Sequence, residues 1–529
     1  MVENSSKDHP YVLSIDLGTS GAKTALVSIY GHVAGFEYEP VPLLLFDGGG
    51  AEQDPADWWQ GIIKTSKRLL SRNLIPNEQI VAINASTQWV GTVPVDSKGN
   101  HLMNAVIWMD ARGESYVRKM VSGPIKVEGY DLFKLMRWIR LTGGAPPLSG
   151  KDPSGHIPYI RQERPDIYKQ TDKFLEPKDY INLRLTGKTA ATADSITCHW
   201  VTDNRDINNI QYDENLLRMG NLDRSKLPDL IPANSIIGPV KPTVAKSMGL
   251  PESVPVISGT PDIMAAAIGS GAIRDYETHL YIGTSSWLSA HVSYKKTDLL
   301  HGIAALPSAV PGRYLICNEQ ETAGASLTFL KDNLLFPEDG YPLENGLSVG
   351  YEVLDRLAER APPGSNGLVF TPWLNGERTP VEENTLRSCL INMSLQTTRA
   401  DMVRAVFEGV ALNHKWLLFY VEKFMKRKAN AIQMVGGGAK SAIWCQIHAD
   451  VLNRPIRQVK DPIQTNVRGS AFLAAVALGY YDYEDISKHI AFEATYEPNP
   501  QNRELYDQRF TAYLKFYKQN RKVFRFLNA

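Results

Sequence analysis

The sequence predicts an α/β protein of two similar domains, and three observations carry that prediction. A strand–Gly/Thr/Ser turn–strand hairpin, IDLGTSGAKTALVSI at residues 15–29, returns as LYIGTSSWLSAHV at residues 280–292, about half the chain later. AIQMVGGGAKSAIWCQIHADVL (431–452) reads as strand, glycine turn and helix. The 529 residues are enough for two or more cores at ~100–200 residues per domain.

The elements follow in order. Residues 1–9 read as a loose polar tail, 11–17 as a buried strand, 18–21 as a turn and 24–29 as a second strand. Residues 80–85 and 92–95 read as strands, and 157–187 and 213–230 as mainly helical or loop-like. The segment 234–255 is rich in Pro and Gly and leads into the strand VPVISG, so the domain boundary is placed near residue 257. This gives a first domain over 10–257, a second over 258–490 and a C-terminal helical segment over 491–529. Residues 401–424 have apolar residues at helical spacing, and SAFLAAVALG (470–479) is a helix of small residues. Tyr506, Phe510, Tyr513 and Tyr517 form an aromatic stripe that reads as a helix docking on the body.

Composition excludes several classes. Lys+Arg and Asp+Glu both number 57, and this balance argues against a protein that coats nucleic acid or an anionic membrane. Hydrophobic content of 43% excludes a disordered or fibrous chain. Cys198, Cys317, Cys389 and Cys445 form no C-x-x-C pair, so no zinc knuckle or disulfide framework is encoded. The polar start MVENSSKDHP and the lack of a long apolar run lead us to expect a reduced, cytoplasmic protein without a membrane partner.

Chemistry concentrates at turns. Asp16 precedes Gly18-Thr19-Ser20, a turn whose N–H groups and hydroxyls suit phosphates while the carboxylate suits Mg²⁺, usually through water. Lys23 adds a point charge. A polar hairpin with Asp16 accepting local N–H bonds would carry the same residues. Gly283-Thr284-Ser285-Ser286 repeats the pattern, and Gly436-Gly437-Gly438 permits close backbone approach to a nucleotide; ordinary turns explain both equally. No P-loop occurs, nor a Rossmann fingerprint at the first strand. Asp262 stands between a strand end and a small-residue helix, as an N-cap or as a carboxylate that accepts a substrate hydroxyl proton. Gln88-Trp89-Val90 and Trp108 offer indole faces to a sugar or to a core.

Taken together, IDLGTSGAK (15–23), EQDPADWW (52–59), IWMDARG (107–113), LEPKDYINLRLTG (175–187), GTSS (283–286), NGERTP (375–380), RAVFEGVA (404–411) and GGGAKSAIWCQIHADVL (436–452) resemble, in order, the FGGY carbohydrate kinases. The E-Q-D-P and P-K-D-Y segments are most similar to xylulokinases. The resemblance implies a duplicated actin/hexokinase-like (ribonuclease H-like) fold with a cleft between domains, and ATP-dependent phosphorylation of a sugar with Mg²⁺. It assigns Asp262 as the catalytic base and Asp16 as the carboxylate near the metal. Thr19, Ser20, Lys23, Gly283, Thr284 and Ser285 fall on phosphate positions, and Gly324, Thr328, Gly436, Gly437, Gly438 and Ser441 on ATP and adenosine positions. Gln88, Trp89, Val90, Trp108 and Ile263 fall on the sugar side. Here the chain departs from the pattern: Trp89-Val90 replaces a Met-His pair, Ile263 an Asn and Pro261 a Gly. D-xylulose, phosphorylated on its primary C5 hydroxyl, is the expected acceptor. Another ketopentose, polyol or sugar acid is the alternative, and a non-catalytic sugar or nucleotide sensor a further one. The resemblance leaves a homodimer open.

Overall fold

The computed structural model describes residues 9–337 and 350–528, so the expected N-terminal tail lies, but for His9, outside the described residues. Two large sheets organise it. The first contains β1 (Tyr11–Gly18), β2 (Gly21–Ser28), β3 (Val33–Pro40), β4 (Ile80–Thr87), β5 (Ile236–Pro239) and β6 (Pro255–Pro261), in the order β5-β6-β4-β1-β2-β3. The second contains β7 (Thr278–Ile282), β8 (Ser286–Val292), β9 (Thr297–Asp298), β10 (Ile303–Pro307), β11 (Tyr314–Cys317), β12 (Ile432–Val435), β13 (Ile456–Val459) and β14 (Phe492–Tyr496). Its order is β9-β10-β11-β8-β7-β12-β13-β14.

The duplication is visible strand by strand. In each sheet a central strand, β1 or β7, forms an antiparallel hairpin with its successor and lies parallel to a later strand, β4 or β12. Beyond the hairpin lies β3 or β11; beyond the parallel neighbour lies β6 or β13, and then an antiparallel edge, β5 or β14. β1 is buried along nearly its whole length, Ser14 and Asp16 included, as befits a mainly apolar strand covered on both faces. This is the duplicated two-domain architecture the sequence predicts.

The helices that matter here are α1 (Pro55–Ser71), α2 (Asp262–Ser270), α3 (Gly324–Phe329), α4 (Arg399–Met425), α5 (Ala442–Leu452), α6 (Thr465–Ala477) and α7 (Arg503–Asn528). α2 and α6 are exchanged between the halves. α2 follows β6 of the first sheet, yet Ile263, Met264, Ala267 and Ile268 share a core with Leu315 of the second. α6 follows β13 of the second sheet, yet Val467, Ala471 and Ala474 cover Val12, Ala25, Val27, Ala82 and Ile257 of the first. Asn84 on β4 donates to the Ser470 carbonyl at 2.7 Å and pins that contact.

The two helices cross at Gly269 and Gly469. A Cβ on Gly469 would overlap the carbonyl oxygen of Ala265, and one on Gly269 that of Thr465. Gly469→Ala is therefore expected to force the helices apart and to cost at least about 1–3 kcal/mol, the range for overpacking. A lower urea midpoint measures it; an unchanged midpoint would show that the crossing relaxes freely.

Two expectations about boundaries need correction. Residue 257 falls inside β6, a strand of the first sheet, so we place the division between Ser270 and Thr278 instead. The Pro/Gly-rich stretch 234–255 holds β5 and a short helix, Pro242–Met248. The segment 491–529 is not helical throughout: β14 completes the second sheet before α7 begins. The aromatic stripe does dock α7. Tyr506 and Tyr513 are fully buried, donating to Glu408 Oε1 and Asn413 Oδ1 of α4, each at 2.8 Å.

Candidate active site

The site forms where the two Gly-Thr-Ser hairpins, the start of α2 and the start of α6 converge. β1 delivers Asp16 to the end of the first sheet. Its Oδ1 accepts from Ser86 Oγ on β4 at 3.1 Å and from Asn466 Nδ2 on α6 at 3.3 Å, while Lys23 Nζ stands 3.8 Å from Oδ2. Lys23 also donates to the Ile463 carbonyl at 3.2 Å, which ties the first hairpin to the other half. One carboxylate oxygen is thus held by neutral donors and the other by a single, longer ion pair.

Asp262 begins α2. Pro261 occupies the preceding cap position, and the Asp262 carboxylate accepts from its neighbour, Ile263 N–H, at 2.8 Å. It does not reach the N–H groups two or three residues on, so the N-cap explanation is corrected. Burial, then the carboxylate of Asp16, then that of Glu319 push the Asp262 carboxyl up to about 7. A carboxylate poised near neutrality in a cleft suits proton transfer.

Thr19 and Gln88 sit in a closed hydrogen-bond set. Thr19 Oγ1 donates to Gln88 Oε1 at 3.0 Å and accepts from Trp108 Nε1 at 2.9 Å. Gln53 Nε2 donates to the Thr19 carbonyl at 2.8 Å, and Gln53 Oε1 accepts from Gln88 Nε2 at 2.7 Å and Trp58 Nε1 at 3.1 Å. Gln53, fully buried before α1, is therefore the hub of the first turn. Sequence reasoning assigned it no role, although a glutamine before Asp-Pro in an apolar context was the available signal. Ser20 lies exposed on the same turn, its carbonyl accepting from Tyr38 Oη at 2.7 Å.

Trp89 Nε1 donates to the Ser195 carbonyl at 2.9 Å, and Val90 adopts φ +66°, a left-handed conformation rare for a β-branched residue. The buried Glu176 carboxyl, raised well above its ordinary value by burial and Asp179, accepts from the following Gly91 N–H at 3.0 Å. Ile263 is nearly enclosed in the core beneath α2.

On the second half, the hairpin turn lies over the start of α3. The Gly283 carbonyl accepts from Gly324 N–H and the Thr284 carbonyl from Ala323 N–H, both at 2.9 Å, and no Cβ would fit at Gly324. Ser285 Oγ donates to Glu319 at 3.2 Å. The three central glycines separate physically. A Cβ on Gly436 (φ +84°) would meet the Ile282 carbonyl at 2.6 Å and one on Gly438 the Ile282 side chain at 2.5 Å, whereas Gly437 faces open space. Two are glycine for packing; the third leaves backbone bare. Thr328 Oγ1 bonds Tyr351 Oη at 2.7 Å, and Ser441 caps α5 while donating to Asp355 at 2.7 Å.

Arg378 closes the cleft from the second half. It pairs with Glu319 at 2.6 Å and with Glu321, and its guanidinium lies 5.4 Å from the Trp108 ring of the first half. The NGERTP segment contributed only to a resemblance, and nothing local revealed this contact.

The pattern of the FGGY family of carbohydrate kinases matches in two parts, its N-terminal domain over residues 11–269 and its C-terminal domain over 279–478. A xylulose kinase of Staphylococcus epidermidis is 31% identical over 97% of each chain. The chain belongs to the FGGY family of carbohydrate kinases. It is accordingly an ATP-dependent sugar kinase. A gluconokinase of Bacillus subtilis is 26% identical over 93% of this chain and 92% of its own. Among solved structures, a gluconate kinase from Lactobacillus acidophilus superimposes with a TM-score of 0.84 at 24% identity, covering 98% of this chain and 100% of its own. A ligand-bound xylulose kinase from the same organism gives 0.83 at 25% identity, covering 97% and 98%. No helix among the described residues is long and apolar enough to cross a membrane.

Proposed function

We propose that this kinase phosphorylates D-xylulose on its C5 hydroxyl, with Asp262 as general base. The observation that carries the reading is the Asp262 carboxyl, half-buried at the start of α2 and raised to about 7 by desolvation and then by the Asp16 carboxylate. Asp262 accepts the hydroxyl proton as the sugar oxygen bonds to the γ-phosphorus; the bond from that phosphorus to the β–γ bridging oxygen breaks and ADP leaves. Thr19, Ser20, Lys23, Thr284 and Ser285 border the phosphates, Gly437 presents free backbone to the nucleotide, and Gly324, Thr328 and Ser441 border the adenosine. Gln88, Trp89, Val90, Trp108 and Ile263 border the sugar.

The donor set fits Mg²⁺, which takes one or two carboxylates plus substrate phosphates; Asp16, with one oxygen lightly engaged, would hold it. When bound, Mg²⁺ neutralises charge on the phosphates. A cytoplasmic setting accords with four unpaired cysteines.

A second reading, a sugar acid as acceptor, is favoured by the cations in the cleft. Burial and the neighbouring Arg378 guanidinium hold the Lys151 ammonium below its usual range, with Glu321 and Glu319 close by. A carboxylate could take the place those glutamates now share. ADP release across neutral pentuloses, polyols and aldonates, ranked by kcat/KM at fixed ATP, decides. D-xylulose leading the panel supports the first reading; an aldonate leading by more than ~100-fold replaces it with the second. Release independent of every acceptor would remove the kinase reading.

A further inference from the structure

Two histidines deep in the second half form a hydrogen-bond chain that ends on the second Gly-Thr-Ser turn. His414 lies midway along α4 and His448 on α5, both buried. His448 Nδ1 stands 2.7 Å from the Trp444 carbonyl oxygen, and His448 Nε2 stands 2.8 Å from His414 Nδ1. His414 Nε2 in turn stands 2.8 Å from the hydroxyl of Ser286, a buried residue that opens β8 directly after Thr284 and Ser285.

Chemistry gives this chain one direction. A carbonyl oxygen only accepts, so His448 carries its proton on Nδ1 and, as a neutral ring, leaves Nε2 bare. His414 Nδ1–H therefore donates to His448, its own Nε2 is bare, and the Ser286 hydroxyl donates to it. Burial keeps both rings neutral. It pushes His448 down to about 4 and, with His448 adjacent, His414 well below the usual range. The far end of the chain belongs to the nucleotide side: Trp444 N–H donates to Ser441 Oγ, the cap of α5, at 3.1 Å, and its indole donates to the Phe407 carbonyl on α4 at 3.0 Å. At the near end the Ser286 backbone exchanges hydrogen bonds with Gln320 at 3.1 and 2.8 Å, and Gly283 N–H donates to the Ser285 carbonyl at 2.9 Å. Those bonds shape the turn locally. Through the Ser286 hydroxyl, the histidine chain ties it to α4 and α5.

We propose that His414 and His448 are positioning residues for the nucleotide. The one-way chain from Ser286 to Trp444 holds the second Gly-Thr-Ser turn and the start of α5 at one spacing, so that Thr284, Ser285, Gly437 and Ser441 meet the same ATP together. The proposal rests on the reading that these four residues border the nucleotide. Both histidines act through Ser286 and α5.

His448→Leu keeps an apolar body but leaves the His414 Nδ1–H without its acceptor. His414 is then expected to move its proton to Nε2, which reverses the link to Ser286. Nitrogen NMR of the imidazoles at neutral pH should show both rings protonated on Nδ1 in the parent protein and His414 protonated on Nε2 in the variant. KM for ATP should rise about 5- to 20-fold, with KM for the best acceptor of the sugar panel unaltered. His448→Gln, whose amide oxygen can accept from His414 Nδ1–H, should recover most of that loss. A merely structural pair would lower the urea midpoint and leave KM for ATP of the folded enzyme as it was. That result, or a parent His414 protonated on Nε2, would overturn the proposal. Thr284→Val separates this from failure of the nucleotide reading. A KM for ATP raised by Thr284→Val but not by His448→Leu removes the histidine chain alone; one unmoved by both removes the turn from the nucleotide site, and the chain's role with it.

Discussion

Asp262→Asn is expected to lower turnover by at least ~10²-fold while KM for ATP stays near that of the parent protein. The amide keeps the shape and can still accept from Ile263 N–H, so the start of α2 survives; only proton acceptance is lost. The parent's pH profile should match. Because the base works ionised, kcat/KM rises through about pH 7 and levels above it. Stability moves the other way. A carboxyl raised to about 7 in the folded state binds its proton more tightly than the unfolded chain does, so stability falls as pH rises from about 4 to 7. Asp262→Asn lacks this loss, and its urea midpoint should exceed the parent's most clearly at pH 8. Near-normal turnover in the variant would remove Asp262 from the chemistry.

Asp16→Asn is the second large effect. The amide oxygen can still accept from Ser86 and Asn466, and what disappears is the charge facing Lys23 and the phosphates. Turnover should fall about 10²–10³-fold and the response to added Mg²⁺ should flatten. The same change acts on Asp262, whose carboxyl is raised by burial and then by Asp16. The acid limb of the residual activity should therefore shift below pH 7. A normal Mg²⁺ response, or an acid limb that does not move, would show that Asp16 faces neither the metal nor the base.

What the sequence discloses here follows the range of the forces involved. The Gly-Thr-Ser turns are local, and each was found with its flanking strands within a few residues. Asp262 stands out in the sequence because a carboxylate precedes a helix of Ala and Ile. The domain boundary was misplaced because the apolar run of β6 looks the same whichever sheet it joins. Gln53 and Arg378 escaped for a different reason. Their partners, Gln88 and Trp108, lie far along the chain, and only folding brings them within reach. The φ of +66° at Val90 had no signal at all, since a valine predicts extended backbone.

The exchange of α2 and α6 has a consequence for the order of synthesis. The face of the first sheet made by Val12, Ala25, Val27, Ala82 and Ile257 receives its cover from Val467, Ala471 and Ala474. While the ribosome elongates the intervening stretch, that apolar face has no native lid. The amino-terminal half thus cannot complete its core as an autonomous nascent domain. A fragment ending before residue 465 should be aggregation-prone, and supplying the remainder in trans should restore its solubility. The glycine crossing that joins the two lobes is thus also a late checkpoint on the completeness of the chain.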